Sequence, residues 1–150
     1  MKKVKDYMDK DIPVVDKKTN LSEILKIFSN SLYNIIPVID EDNVLCGIIC
    51  IEDILENLIL SKKDVELLEK FPFFADAFSE ITSTVECISS LLVAEDVMNK
   101  DVIKIDENSS VMKALILMRK HHVNRLVVVN EKDNPVGFIT RNNILKAIGC

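Results

Sequence analysis

The segment GIICIEDIL at positions 47–55 returns as GFITRNNIL at positions 137–145, and the two copies differ where polar chemistry is possible. Cys50 stands opposite Thr140, Glu52 opposite Asn142 and Asp53 opposite Asn143. A carboxylate such as Asp53 can accept from two adjacent hydroxyls at once, and such charge-assisted bonds are about twice as strong as neutral ones. Asn143 brings one carbonyl oxygen to the same place. The Thr140 hydroxyl donates and accepts, whereas the Cys50 thiol is a weak donor. Arg119, Lys120, His121, His122, Arg125 and Arg141 gather near the second copy, while Asp40, Glu41, Asp42, Glu52 and Asp53 surround the first. The second copy is therefore suited to an anion and the first is not. Thr140 also lies just before an expected helix, whose first amides and positive dipole end favour a phosphate. Plainer roles stay open for these residues. Asp53 suits a helix cap, Thr140 an ordinary strand position, Arg125 a solvated surface charge, and the histidine pair the C-terminal end of a helix.

Other chemistries find little support. No Ser/His/Asp set, phosphate-loop glycines or paired metal ligands occur, and the chain has only 3 glycines, so the sequence does not read as an enzyme. The four cysteines, Cys46, Cys50, Cys87 and Cys150, form no CxxC pair, and the two histidines are neighbours, so no zinc site is expected. Cys46 and Cys50 share parity in an apolar run, which suits small buried side chains. With 24 acids against 19 bases the formal charge is −5, which argues against nucleic acid as a partner. No apolar run reaches the ~18 residues of a membrane span, and MKKVKDYMDKD lacks the apolar stretch of a signal peptide, so a cytoplasmic protein is expected.

The elements that must position these residues also come in two copies. Residues 4–55 line up with 94–145 without a gap, with identities that include Asp6/Asp96, Met8/Met98, Asp16/Asp106, Asn34/Asn124, Val38/Val128 and Gly47/Gly137. Each copy opens with a short extended segment, DIPVVD or DVIKID. A cap follows, Asn20 with Glu23 as a capping box or Ser110 in the matching place. Leu21, Ile24, Leu25 and Phe28, like Val111, Leu115 and Met118, then recur at helical spacing. The runs IIPVI and VLCGIICI, and RLVVV and VGFI, read as strands joined by a polar hairpin, and a last helix begins near Glu52 or Asn142.

The fold class is therefore α/β (α+β), two β-α-β-β-α repeats at residues 1–60 and 94–150 with a helical linker at 61–93. About 50 residues bury too little surface to be comfortably stable alone, so the copies are expected to pack sheet on sheet with a near-twofold relation and two quasi-equivalent clefts. Within the linker Phe74, Phe78, Ile81, Val85, Ile88 and Leu92 form one apolar helical stripe. It suits either the protein's own core or a dimer contact.

Each copy resembles the CBS domain, found as tandem pairs (Bateman modules) in regulated enzymes, channels and transporters, whose usual signature is an apolar-Pro-Val strand, an acidic turn, a glycine, a Ser or Thr and an Asp three places later. The resemblance rests on IIPVIDEDNVLCGIICIEDIL and HHVNRLVVVNEKDNPVGFITRNNIL. It implies a regulatory module that binds an adenosyl ligand (AMP, ADP, ATP or S-adenosylmethionine) between repeats, does no chemistry on it and signals to a protein partner. Carried over by position, repeat 1 offers Asp53 for ribose, Cys50 at the phosphate position, and Ile12, Val14, Ile36 and Pro37 as adenine walls. Repeat 2 offers Thr140 for phosphate, Asn143 for ribose, and Val102, Ile103, Leu126 and Val127 as walls. Arg125, Arg141 and His122 are the bases near its phosphate. A homodimer is expected, and no catalytic cofactor or metal. The alternative is a structural dimerisation module whose nucleotide pockets have degenerated.

Overall fold

The computed structural model describes residues 1–59, 62–70 and 89–149. A 3-10 turn at Val4–Asp6 precedes β1 (Val15–Asp16), α1 (Leu21–Ser29), β2 (Ile35–Ile39) and β3 (Leu45–Cys50). Helix α2 (Ile51–Ile54) continues as a π-helical turn at Leu55–Ile59, and α3 (Lys62–Lys70) lies in the linker. The second half repeats the order with α4 (Ala94–Val97), β4 (Lys104–Asp106), α5 (Val111–His121), β5 (Arg125–Val129), β6 (Pro135–Thr140) and α6 (Arg141–Ile148). The remaining positions of the apolar stripe, Phe74, Phe78, Ile81, Val85 and Ile88, lie outside the described residues.

Local sequence explains the repeated elements. Asn20 accepts a hydrogen bond from the Glu23 N–H at 2.9 Å, and Ser110 accepts from Lys113 at 3.0 Å, so both long helices start where a capping side chain stands. Leu21, Ile24 and Phe28 are buried along one side of α1, and Val111, Ala114 and Met118 along one side of α5. His122 closes α5 in the left-handed conformation, φ 56°, its N–H bonded to Met118.

Each sheet has three strands, β1-β2-β3 and β4-β5-β6, the first pair parallel and the second antiparallel. A bulge falls at Val38/Ile39 and again at Val128/Val129. Strand alternation sends Ile36 and Val38 toward the helices of the first repeat, and Leu126 and Val128 toward those of the second. The other face of each sheet meets its counterpart in a third cluster, where Leu45, Val127, Val129 and Phe138 are packed with Ile12, Tyr33, Ile35, Ile48 and Val102.

The repeats also exchange their opening segments. Val4 is fully buried in the core of the second repeat beside Val111 and Ile139, and Ala94 is fully buried in the core of the first beside Leu21 and Ile49. The backbone contacts match pairwise: Val4 N–H donates to Ser109 and Ala94 N–H to Thr19, while Lys5 donates to Glu107 and Glu95 to Lys17. Further along, Asp9 and Phe138 exchange backbone hydrogen bonds of 2.8 and 3.0 Å, as Asn99 and Ile48 do at 2.7 and 2.9 Å. The two glycines of the repeated segment permit this approach. A Cβ on Gly47 would lie 2.6 Å from Met98 Sδ, and one on Gly137 would lie 2.5 Å from the Asp9 carbonyl oxygen.

Candidate functional site

The segment exchange brings four polar side chains into two equivalent places. At the end of β3, Cys50 and Asp53 lie beside the segment that carries Asn99, and at the end of β6, Thr140 and Asn143 lie beside the segment that carries Asp9. In the second place the side chains are joined. Asn143 is buried and its Oδ1 accepts from the Thr140 N–H at 2.7 Å and the Thr140 hydroxyl at 2.8 Å. The Asn143 N–H donates back to Thr140 Oγ1, which makes Thr140 the N-cap of α6. Asn143 Nδ2 then donates to Asp9 Oδ1 at 3.2 Å.

The first place is open by comparison. Cys50 makes no capping hydrogen bond, and Asp53 makes no side-chain hydrogen bond among the described residues. Asn99 turns back on its own chain, its Oδ1 accepting from the Asp101 N–H at 2.9 Å. Burial pushes the Cys50 thiol up to about 11, and the charges of Asp53 and Glu52 add to the shift. Arg125 opposes it, so the guanidinium is close enough to act on the first cleft. Arg125 stands opposite Thr140 in the β5/β6 register and also lowers the pKa of Tyr33, which burial and the neighbouring Asp9 raise. The base assigned by position to the second cleft thus acts electrostatically on the first as well.

The expected walls divide by strand parity. Ile12, Val102 and Val127 lie in the layer between the sheets, and Pro37 alternates onto the same face as Ile35. Ile36 and Leu126 are corrected: both are fully covered in the cores beneath the helices, because the alternation of β2 and β5 turns them away from the opposite sheet. Ile103 packs against the second core and Val14 is 36% exposed. His122 and Arg141 are exposed at the ends of α5 and α6. Tyr33 was not singled out by the sequence. Its ring centroid is 5.0 Å from that of Phe138 at a tilt of 56°. Asp9 and Asn99 were missed too, although the swap of Asp and Asn between them mirrors the swap between Asn143 and Asp53.

No helix among the described residues is long and apolar enough to cross a membrane. Residues 4–60 and 93–150 each match the CBS domain, and the chain belongs to that family as a tandem pair. Two uncharacterized proteins of Methanocaldococcus jannaschii are 31% and 28% identical to it, each over 97% of this chain. The chain spans 39% of the length of the first and 90% of the second. Among solved structures, a CBS domain-containing protein of unknown function from Bacillus anthracis superposes with a TM-score of 0.71 at 27% identity, covering 97% of this chain and 91% of that one. CBSX2 in complex with AMP gives 0.69 at 21% identity, covering 99% and 96%. A CBS domain pair in complex with 5′-methylthioadenosine and S-adenosyl-L-methionine gives 0.65 at 22%, covering 99% and 97%. The last two likenesses concern the fold.

Proposed function

We propose that this chain is a cytoplasmic regulatory module that binds an adenosyl ligand between its repeats, without acting on it chemically, and passes the change to a protein partner. The observation that carries this reading is the open end of β3, where Asp53 makes no side-chain hydrogen bond among the described residues and Arg125 of the other repeat acts on the neighbouring Cys50. A carboxylate suits the ribose hydroxyls and a guanidinium suits a phosphate. The ligands of the AMP-bound and S-adenosyl-L-methionine-bound structures are of this class. Arg125 supports the first cleft as a phosphate site, which shifts the balance from the second cleft that the surrounding charges of the sequence favoured. Signalling requires a ligand that binds two arrangements of the protein with different affinity.

Thermal unfolding of the purified protein with AMP, ADP, ATP and S-adenosylmethionine tests the reading. A ligand at one hundred times its dissociation constant stabilises the folded state by about 2.7 kcal/mol, enough to raise the melting temperature by several degrees. No shift with any of the four would refute it.

The second reading, a structural dimerisation module, is favoured by one observation. Met112 and Ile116 on α5 and Leu145 and Ile148 on α6 are between 52% and 60% exposed, an apolar face on two helices of one repeat. A homodimer through that face accompanies either reading. Ile116→Asp should convert the dimer to a monomer in sedimentation analysis, and an unchanged mass would remove the face from the interface.

A further inference from the structure

The two clefts hold the same pair of polar groups with their positions exchanged. In the first, the carboxylate is Asp53 on the helix and the amide is Asn99 on the exchanged segment. In the second, the amide is Asn143 on the helix and the carboxylate is Asp9 on the segment. Asn143 is a poor acceptor for a ligand as it stands. Its only side-chain oxygen already accepts both the N–H and the hydroxyl of Thr140, and the residue is 5% exposed.

Asp9 is better placed. Its backbone is fixed by the paired bonds to Phe138, and Asn143 Nδ2 holds its Oδ1 from one side. An ionised carboxylate has about four acceptor positions, so bonds from Asn143 and from the Tyr33 hydroxyl leave about two for ribose hydroxyls. Asp9 is only partly buried, and both it and Arg125 act on Tyr33, so a carboxylate and a cation face one space here as well.

We propose that Asp9, and not Asn143, is the specificity-determining residue of the second cleft, accepting the two ribose hydroxyls of an adenosyl ligand while Asn143 positions it. The proposal rests on the adenosyl-binding reading above. The exchange Asp53/Asn99 to Asn143/Asp9 keeps one carboxylate in each cleft and changes only the element that supplies it. Binding in the second cleft then depends on the opening segment of the chain, at the point where it crosses to the other repeat.

Calorimetric titration with AMP and with 2′-deoxy-AMP tests this, in an Asp53→Ala background that isolates the second cleft. AMP should bind about tenfold more tightly than its deoxy analogue, the effect of one charge-assisted bond. Adding Asp9→Asn should weaken AMP about tenfold and remove the preference for it. The further change Asn143→Asp should restore both, because it returns the carboxylate to the helix. A purely structural role for Asp9 would lower the melting temperature and leave the ratio of the two affinities unchanged, which would overturn the proposal. So would an Asp53→Ala protein that no longer binds AMP although the parent does. Absence of binding by the parent protein to AMP, ATP and S-adenosylmethionine would instead remove the adenosyl reading on which the proposal stands.

Discussion

Cys50 occupies the position where the other repeat has its capping Thr140, and the exchange changes the character of the group more than its size. A thiol pushed up to about 11, above its ordinary 9.0, is protonated throughout the physiological range. The first cleft therefore presents an uncharged, weakly donating sulfur beside the Asp53 carboxylate. The sign of the shift sets its effect on stability. The folded state disfavours the thiolate, so the contribution is present below pH 9.0 and is lost as the pH rises through the window from 9.0 to about 11. In a protein with Cys46, Cys87 and Cys150 changed to serine, alkylation by iodoacetamide should reach half its maximal rate near pH 11. Arg125→Ala should move that midpoint higher, since the guanidinium opposes the shift, and Asp53→Asn should move it lower. A midpoint near 9.0 in the parent would show that the thiol is neither desolvated nor facing the two carboxylates.

The crossing segments decide what the glycines of the repeated motif do. Gly47 and Gly137 are equivalent, yet a side chain would meet different atoms at each. A Cβ at position 137 would come within 2.5 Å of a backbone oxygen, that of Asp9, which is held by its pairing with Phe138. At position 47 the nearest atoms are Sδ and Cγ of Met98, at 2.6 and 2.9 Å, and a methionine can change rotamer. Gly137→Ala should therefore cost more than Gly47→Ala, about 3 kcal/mol against about 1 kcal/mol in urea denaturation. Equal costs would mean that both segments yield alike. Much of this scale was legible in the sequence, because capped amphipathic helices and apolar hairpins are local patterns, and Asn20, Ser110 and the strand runs stand where the pattern puts them. The crossing was not, since Val4 and its neighbours have no periodicity and their partners lie about a hundred residues away. The identity of Met8 with Met98, each at the same offset before the glycine of its own repeat and packed on the glycine of the other, was the one trace of it. Of the candidate site, the repeated motif was legible, and Ile12, Val102 and Val127 do share the layer between the sheets. Asp9 and Tyr33 join it only through tertiary contacts.

Duplication alone would give two units that fold independently and then dock, whereas the exchange makes each core incomplete without the other half of the chain. Val4 is fully buried among Ile105, Val111, Met118 and Ile139 of the second repeat, and Ala94 among Val15, Leu21 and Ile49 of the first. The layer between the sheets ties them again, through Leu45 of the first repeat and Val127, Val129 and Phe138 of the second. Loss of order in one repeat releases the segment that completes the other, so the described parts of both repeats should unfold in a single transition. Val4→Ala tests this at a fully buried core site that lines neither cleft and is assigned by position to the first repeat. Removing two buried methyl groups should cost about 2 kcal/mol through lost transfer free energy and the cavity left behind. Amide exchange should rise in β2 and β3 as well as in β5 and β6, because the loss is shared by the whole molecule. Faster exchange confined to β5 and β6, with β2 and β3 unchanged, would show two units of separate stability and would limit any ligand signal to the repeat that binds it.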